Sequence, residues 1–321
     1  MLRSIALSFA ALLAAAVPTF AQSFPSKNVH FIVAYAPGGT GDVVARIIAE
    51  KLGPALGQTV VVENRAGASG AIGATAVANA PPDGHMLLVG QTGEMVVNQF
   101  WMKGLSYDPQ AFAPIALATV VPLALTVPAK TPYATMAEMF KALKESGKPF
   151  SFASAGTGTP GHFAGEYLSA KLPGKLVHVP YKGAGPALND IIGGHVDMYF
   201  PGFPPVMPMM KAGTVKVLAV SSIKRSDAAP EIPTVAEATG FPDFDFTLWQ
   251  GFFAPKDTPA DVVSRLNTEI NRILADPETR QKLLDAGANV SPLSVAEFAT
   301  FVNAERAKYE RIIRETGVKP E

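Results

Sequence analysis

The sequence predicts an α/β fold with parallel strands. Runs rich in β-branched and aromatic residues alternate with helical runs, the pattern of strand–helix–strand units. Two glycine-rich turns each join such a strand to a helix. The length left after an N-terminal leader, 321 − 21 = 300 residues, suits two domains rather than one.

The leader is read first. Met1-Leu2-Arg3 is a short positive start, Ser4 to Val17 is an apolar Ala/Leu-rich run, and Thr19-Phe20-Ala21 places small residues where a signal peptidase reads. Cleavage is expected after Ala21, so residues 1–21 are excluded from the fold. The run is too short for a comfortable membrane span. With no cysteine, the chain is not a lipoprotein and has no disulfide, thiolate metal site or cysteine nucleophile.

The mature chain opens with a strand, Val29 to Ala34, followed by the turn Pro37-Gly38-Gly39-Thr40-Gly41. Asp42 is placed to cap a helix running to about Leu52, with Val44, Ile48 and Leu52 on one stripe. Thr59 to Glu63 and Met86 to Gly90 read as the next strands, the second after the turn Pro81-Pro82-Asp83-Gly84. A second set of units follows. Leu123 to Val127 is a strand, and Thr135-Met136-Ala137-Glu138 is a capping box for a helix that Gly147 and Pro149 close. Phe150 to Ala153, Val177 to Pro180 and Val215 to Ser221 read as strands, with helices at Phe163 to Leu172 and Ala184 to Ile192. From Pro255 the chain reads as helical. Thr258-Pro259 and Asp276-Pro277 pair a capping residue with a proline at the first helical position, and Ser294 to Glu297 is another capping box.

Charge narrows the function. Lys and Arg number 27 and Asp and Glu 27, so a dominant basic surface and nucleic-acid binding are not expected. Gly156-Thr157-Gly158-Thr159-Pro160-Gly161 fits G-x-G-x-x-G, but the next strand ends at Tyr181-Lys182 without an acid for a ribose, and Pro160 deletes a backbone donor. The favoured reading of both glycine turns is simpler: exposed N–H groups at a helix start form an anion site, with Ser154, Thr157 and Thr159 adding hydroxyls. No arginine occurs between Arg65 and Arg225, so an anion held there must use N–H groups, hydroxyls, water or Lys182. Tyr35 and Trp249 are expected as pocket walls. Glu94 reads as a solvated loop acid, which would repel a carboxylate if it faced the pocket. The five histidines show no metal-ligand spacing, and Ser154 lacks the first glycine of a nucleophile elbow. No catalytic residue, metal or cofactor is expected; the alternative is a secreted, hydrolase-like enzyme using Ser154 or a histidine.

Phe31 to Gly39 followed by Asp42 and Ala45-Arg46 resembles the opening of the Bug-type periplasmic binding proteins of tripartite tricarboxylate transporters. Val60 to Asn64, Pro82-Asp83-Gly84, His178 to Gly183, Gly193 to Met198, Leu218-Ala219-Val220, Pro233-Thr234 and Trp249 to Pro255 follow in that family's order. The resemblance covers nearly the whole mature chain. It implies two Rossmann-like lobes closing like a flytrap on a small mono-, di- or tricarboxylate, then delivery to membrane permease subunits. Lobe 1 is expected at 24–124 plus 246–321 and lobe 2 at 125–245, in a periplasmic monomer. Mapped onto this chain, the ligand contacts are Ala36, Pro37, Gly38, Gly39, Thr40, Gly41 and Asp42; Gln91, Thr92 and Gly93; and Ser154, Gly156, Thr157, Gly158 and Thr159. Gly183 and Ala184 are a further expected contact, and Tyr35 joins them as a wall. Pro201-Gly202-Phe203-Pro204-Pro205 reads as a rigid apolar insert expected to reshape the pocket.

Overall fold

The computed structural model describes residues 24–172 and 175–316; the expected leader and its cleavage site lie outside them. The chain begins with β1 (Val29–Val33), α1 (Thr40–Leu56), β2 (Val60–Asn64), α2 (Ala71–Ala78), β3 (Met86–Gln91), α3 (Asn98–Trp101) and β4 (Phe112–Pro122). It continues through β5 (Ala124–Pro128), α4 (Met136–Ser146), β6 (Phe150–Ser154), α5 (Pro160–Lys171), β7 (Leu176–Pro180), α6 (Ala184–Gly193), β8 (Met198–Tyr199), α7 (Phe203–Lys211), β9 (Val215–Val220) and α8 (Val235–Thr239). It returns by β10 (Thr247–Pro255), α9 (Ala260–Ala275), α10 (Pro277–Asp285), β11 (Asn289–Val290) and α11 (Val295–Thr316).

These strands form two sheets. One runs β11-β4-β10-β3-β1-β2 and the other β7-β6-β8-β5-β9. The β-α units pair in parallel, as expected: β1 lies between β2 and β3, and β6 between β7 and β8. The sheets are nonetheless mixed. β10 runs antiparallel to both β3 and β4, and β5 antiparallel to β8 and β9. The two long strands β4 and β10 have no counterpart in the sequence reading, and β11 interrupts a stretch read as wholly helical.

The chain passes between the sheets at Leu123 and again near Phe246. Ser221 ties both passages: its hydroxyl accepts from the Leu123 N–H at 2.8 Å and donates to the Phe246 carbonyl. Each sheet is covered by helices. Phe31, Val44, Ile48, Leu52, Phe252, Leu266 and Ile270 fill one side of the first sheet, and helix stripes match these positions as a 3.6-residue period requires.

Caps follow local chemistry with two exceptions. Thr135, Asp276 and Ser294 accept from the N–H three residues on, as read. Asp42 is not a cap: Gly39 holds that position, and the Asp42 carboxylate turns back to the Gly38 N–H and to Arg46. Pro259, not Thr258, is the cap residue of α9.

Candidate functional site

A narrow cleft lies between the two sheets. Tyr35, Ala36, Gly39, Thr40, Gly41 and Asp42 line it from the β1–α1 turn, and Gln91 and Gly93 from the end of β3. Thr159 and Ala184 line it from the facing sheet. The structure therefore gathers ten of the residues that the sequence singled out.

The others support rather than line the cleft. The Gly38 N–H is taken by Asp42 at 3.1 Å, and Thr92 is buried. Ser154 is fully buried, with its oxygen 2.7 Å from His178 Nε2 and accepting from the Gly156 N–H. The Gly158 N–H donates to His162 Nδ1 at 3.1 Å. Pro37, Thr157 and Gly183 instead meet the opposite lobe. Ser69 Oγ donates to the Thr157 carbonyl at 2.6 Å, and the Ala36 N–H to the Lys182 carbonyl at 3.4 Å. Gly183 has φ +147°, and a Cβ there would lie 2.7 Å from the Ala36 nitrogen. Such close approach is what glycine permits.

Four helices of nine residues or more begin at the cleft: α1 at Thr40, α5 at Pro160, α6 at Ala184 and α7 just after Gly202. None has a side-chain cap. Uncapped first-turn N–H groups and the positive end of each helix dipole favour an anion. In α1 the first i→i−4 bond is Val43 N–H to Gly39 O, which leaves the N–H groups of Thr40, Gly41 and Asp42 outside the ladder. Asp42 is the one charged side chain among those lining the cleft. Burial opposes its charge, but Arg46 and the Gly38 N–H hold its carboxyl below the usual range.

Sequence reasoning missed part of the wall. Val33, Leu123, Tyr199, Phe200 and Leu248 also line the cleft, with Pro160 and Gly161 at the α5 start; Ala155 of the second glycine turn and Pro201 and Gly202 of the segment expected to shape the pocket line it too. The signal for α7 was available in Gly202-Phe203-Pro204-Pro205, since prolines in a first turn follow a helix start. That segment starts α7, and Pro201 and Gly202 just before the helix line the cleft.

Two aromatic and acidic expectations are corrected. Trp249 is fully buried, packs on Phe298 and Phe301, and donates from Nε1 to Glu305 at 3.1 Å; it belongs to the core. Its position on the long β10 strand, not beside a loop, decides this. Glu94 is fully buried behind Tyr35 rather than solvated. Burial pushes its carboxyl up to about 8. His162 and His178 stack with ring centroids 4.1 Å apart. Burial pushes them down to about 3 and about 4, and at His162 the neighbouring His178 ring lowers it further. Both are neutral props under the 154–159 loop. Ser154 is not among the residues that line the cleft, and His178 Nδ1 is buried without a hydrogen-bond partner among the described residues.

The family model for the tripartite tricarboxylate transporter family receptor matches residues 44–318. The chain belongs to that family. The receptor is 39% identical over 295 residues, 92% of this chain and 88% of the relative, to a UPF0065 protein in the tcbD-tcbE intergenic region of Pseudomonas sp. (strain P51). It is 31% identical to Protein BugT of Bordetella pertussis, covering 95% of this chain and 94% of that one. Among solved structures, it superposes on the periplasmic binding protein BugD with a TM-score of 0.88 at 34% identity, covering 93% of this chain and all of that one. R. palustris Rpa4515 with adipate gives 0.89 at 31% identity, with 93% and 100% covered. The family is one of solute-binding receptors rather than enzymes. Among the receptor's described residues, no helix is long and apolar enough to cross a membrane.

Proposed function

We propose that this chain is an exported, monomeric receptor that captures a small carboxylate between its lobes and presents it to the permease subunits of a tripartite tricarboxylate transporter. The lobes are residues 24–124 with 246–321, and 125–245. The observation that carries the reading is the set of uncapped helix starts around one cleft, in a family whose structures include an adipate complex. Closure is the mechanism. A ligand touching both lobes stabilises the closed arrangement over the open one by its differential contacts, and the Ser69–Thr157 and Ala36–Lys182 bonds join the lobes in that arrangement. A micromolar dissociation constant needs about 8 kcal/mol net. Charge-assisted bonds from backbone donors in an enclosed site are of the right kind to supply it.

Gly41→Asp tests the reading. A Cβ at Gly41 meets only Val33 Cγ1, at 3.6 Å, so a side chain can begin there without a clash. An acid in the first turn of α1 suits the helix dipole, so folding is retained while a negative charge stands at the proposed anion seat. We expect thermal stability to change little and carboxylate affinity, measured by titration calorimetry, to fall at least ~100-fold, on the order of 3 kcal/mol. Undiminished affinity would remove the α1 start from the site.

A further inference from the structure

The cleft offers one helix start with a full set of free donors, and much of the rest of its wall is apolar. Prolines thin the donors of the other three helix starts. Pro160 occupies the first position of α5, Pro186 the third of α6, and Pro204 and Pro205 the second and third of α7. In α5 the His162 N–H is also spent on the Thr159 carbonyl. Only α1 has a first turn with all three N–H groups outside the ladder.

The side chains agree. Among the described residues, no lysine or arginine lines the cleft. Several of its polar side chains are already engaged: Tyr35 with Glu94, Thr159 with the Gly156 carbonyl, Gln91 through its Oε1 with Gln250, and Asp42 with Arg46. Leu123, Leu248, Phe200 and Pro201 supply apolar wall. A second carboxylate laid against them would lose its water without gaining a donor, which is strongly unfavourable. One group points the other way: Tyr199 on β8 lines the cleft and is 1% exposed as a residue, and its hydroxyl, not sealed from the cleft, makes no hydrogen bond to another described residue. Buried phenols ordinarily find one.

We infer that the ligand is a monocarboxylate with an apolar body, seated at α1 by its carboxylate and hydrogen-bonded by the Tyr199 hydroxyl. This rests on the carboxylate reading above and narrows it, in contrast to the relative whose structure holds adipate.

Titration calorimetry on the purified protein with hexanoate, benzoate, adipate and hexanamide tests both levels. Hexanoate and adipate share a six-carbon chain and differ in the second carboxylate. We expect hexanoate or benzoate to bind at least tenfold tighter than adipate, and hexanamide not to bind measurably. Tyr199→Phe is expected to weaken the better monocarboxylate about tenfold with an unchanged melting temperature. Adipate binding tighter than both monocarboxylates would overturn this inference and leave the carboxylate reading standing. Hexanamide binding as well as hexanoate, or no binding by any carboxylate, would overturn the carboxylate reading and this inference with it. Full affinity in Tyr199→Phe would overturn the assignment of Tyr199.

Discussion

Replacing Glu94 by glutamine is expected to remove a pH-dependent loss of stability between pH 4.5 and 8. Glu94 is fully buried; one oxygen accepts from the Gln91 N–H at 2.8 Å and the other lies 3.0 Å from the Tyr35 hydroxyl. The Ser69 carbonyl stands 3.2 Å from that same hydroxyl. A neutral Glu94 completes the chain: its proton goes to the Tyr35 oxygen, and Tyr35 donates to Ser69. Burial raises the carboxyl from 4.5 to about 8. Between those values the folded protein keeps a proton that the unfolded chain releases. Stability therefore falls as pH rises through the window. At pH 7 the cost is about 3 kcal/mol, at 1.36 kcal/mol per unit. Glutamine preserves the shape and both contacts without titrating. Thermal unfolding should show the variant gaining on the wild type by several degrees between pH 5 and pH 8. An equal difference at both pH values would mean that Glu94 does not hold its proton. The same neutrality keeps a charge away from the carboxylate seat, so wild-type affinity should decline above about pH 8 while the variant's does not.

Gly185→Ala should uncouple binding from folding. Gly185 is the second residue of α6, and a Cβ built there meets nothing of its own lobe; it overlaps the Pro37 carbonyl oxygen of the other lobe. The substitution suits a helix and is tolerated in the open arrangement. Its cost falls on the closed one, about 1–3 kcal/mol for overpacking of this kind, or roughly 5- to 150-fold in affinity. We expect thermal stability without ligand to be little changed. Small-angle scattering should show the radius of gyration failing to contract on adding a saturating carboxylate. Wild-type affinity and contraction would show that binding does not require the Pro37–Gly185 approach.

Much of this architecture was legible because it is local. The β-α units announce themselves by apolar periodicity and by caps such as Thr135, Asp276 and Ser294, whose side chains answer N–H groups three residues away. The glycine turns were legible for the same reason: a helix start after a strand needs only neighbouring residues to be seen. What stayed hidden depends on distant partners. β4 begins and ends among prolines and is buried on both faces, so no alternation marks it. α7 carries three prolines in nine residues and reads as a loop until the cap at Gly202 is placed. Glu94 looks like a loop acid because its burial comes from Tyr35, 59 residues away. Tyr199 sits in an aromatic run whose alternate side chains enter different cores, and only the folded sheet shows that Tyr199 and Phe200 both also line the cleft.

The most direct test is a crystal structure with the tightest-binding carboxylate from the titration series. The account predicts its carboxylate oxygens about 3 Å from the N–H groups of Thr40 and Gly41, with the lobes closed and the Tyr199 hydroxyl on the ligand. A carboxylate bound outside this cleft, or turned toward Leu123 and Phe200 with the α1 start empty, would contradict it.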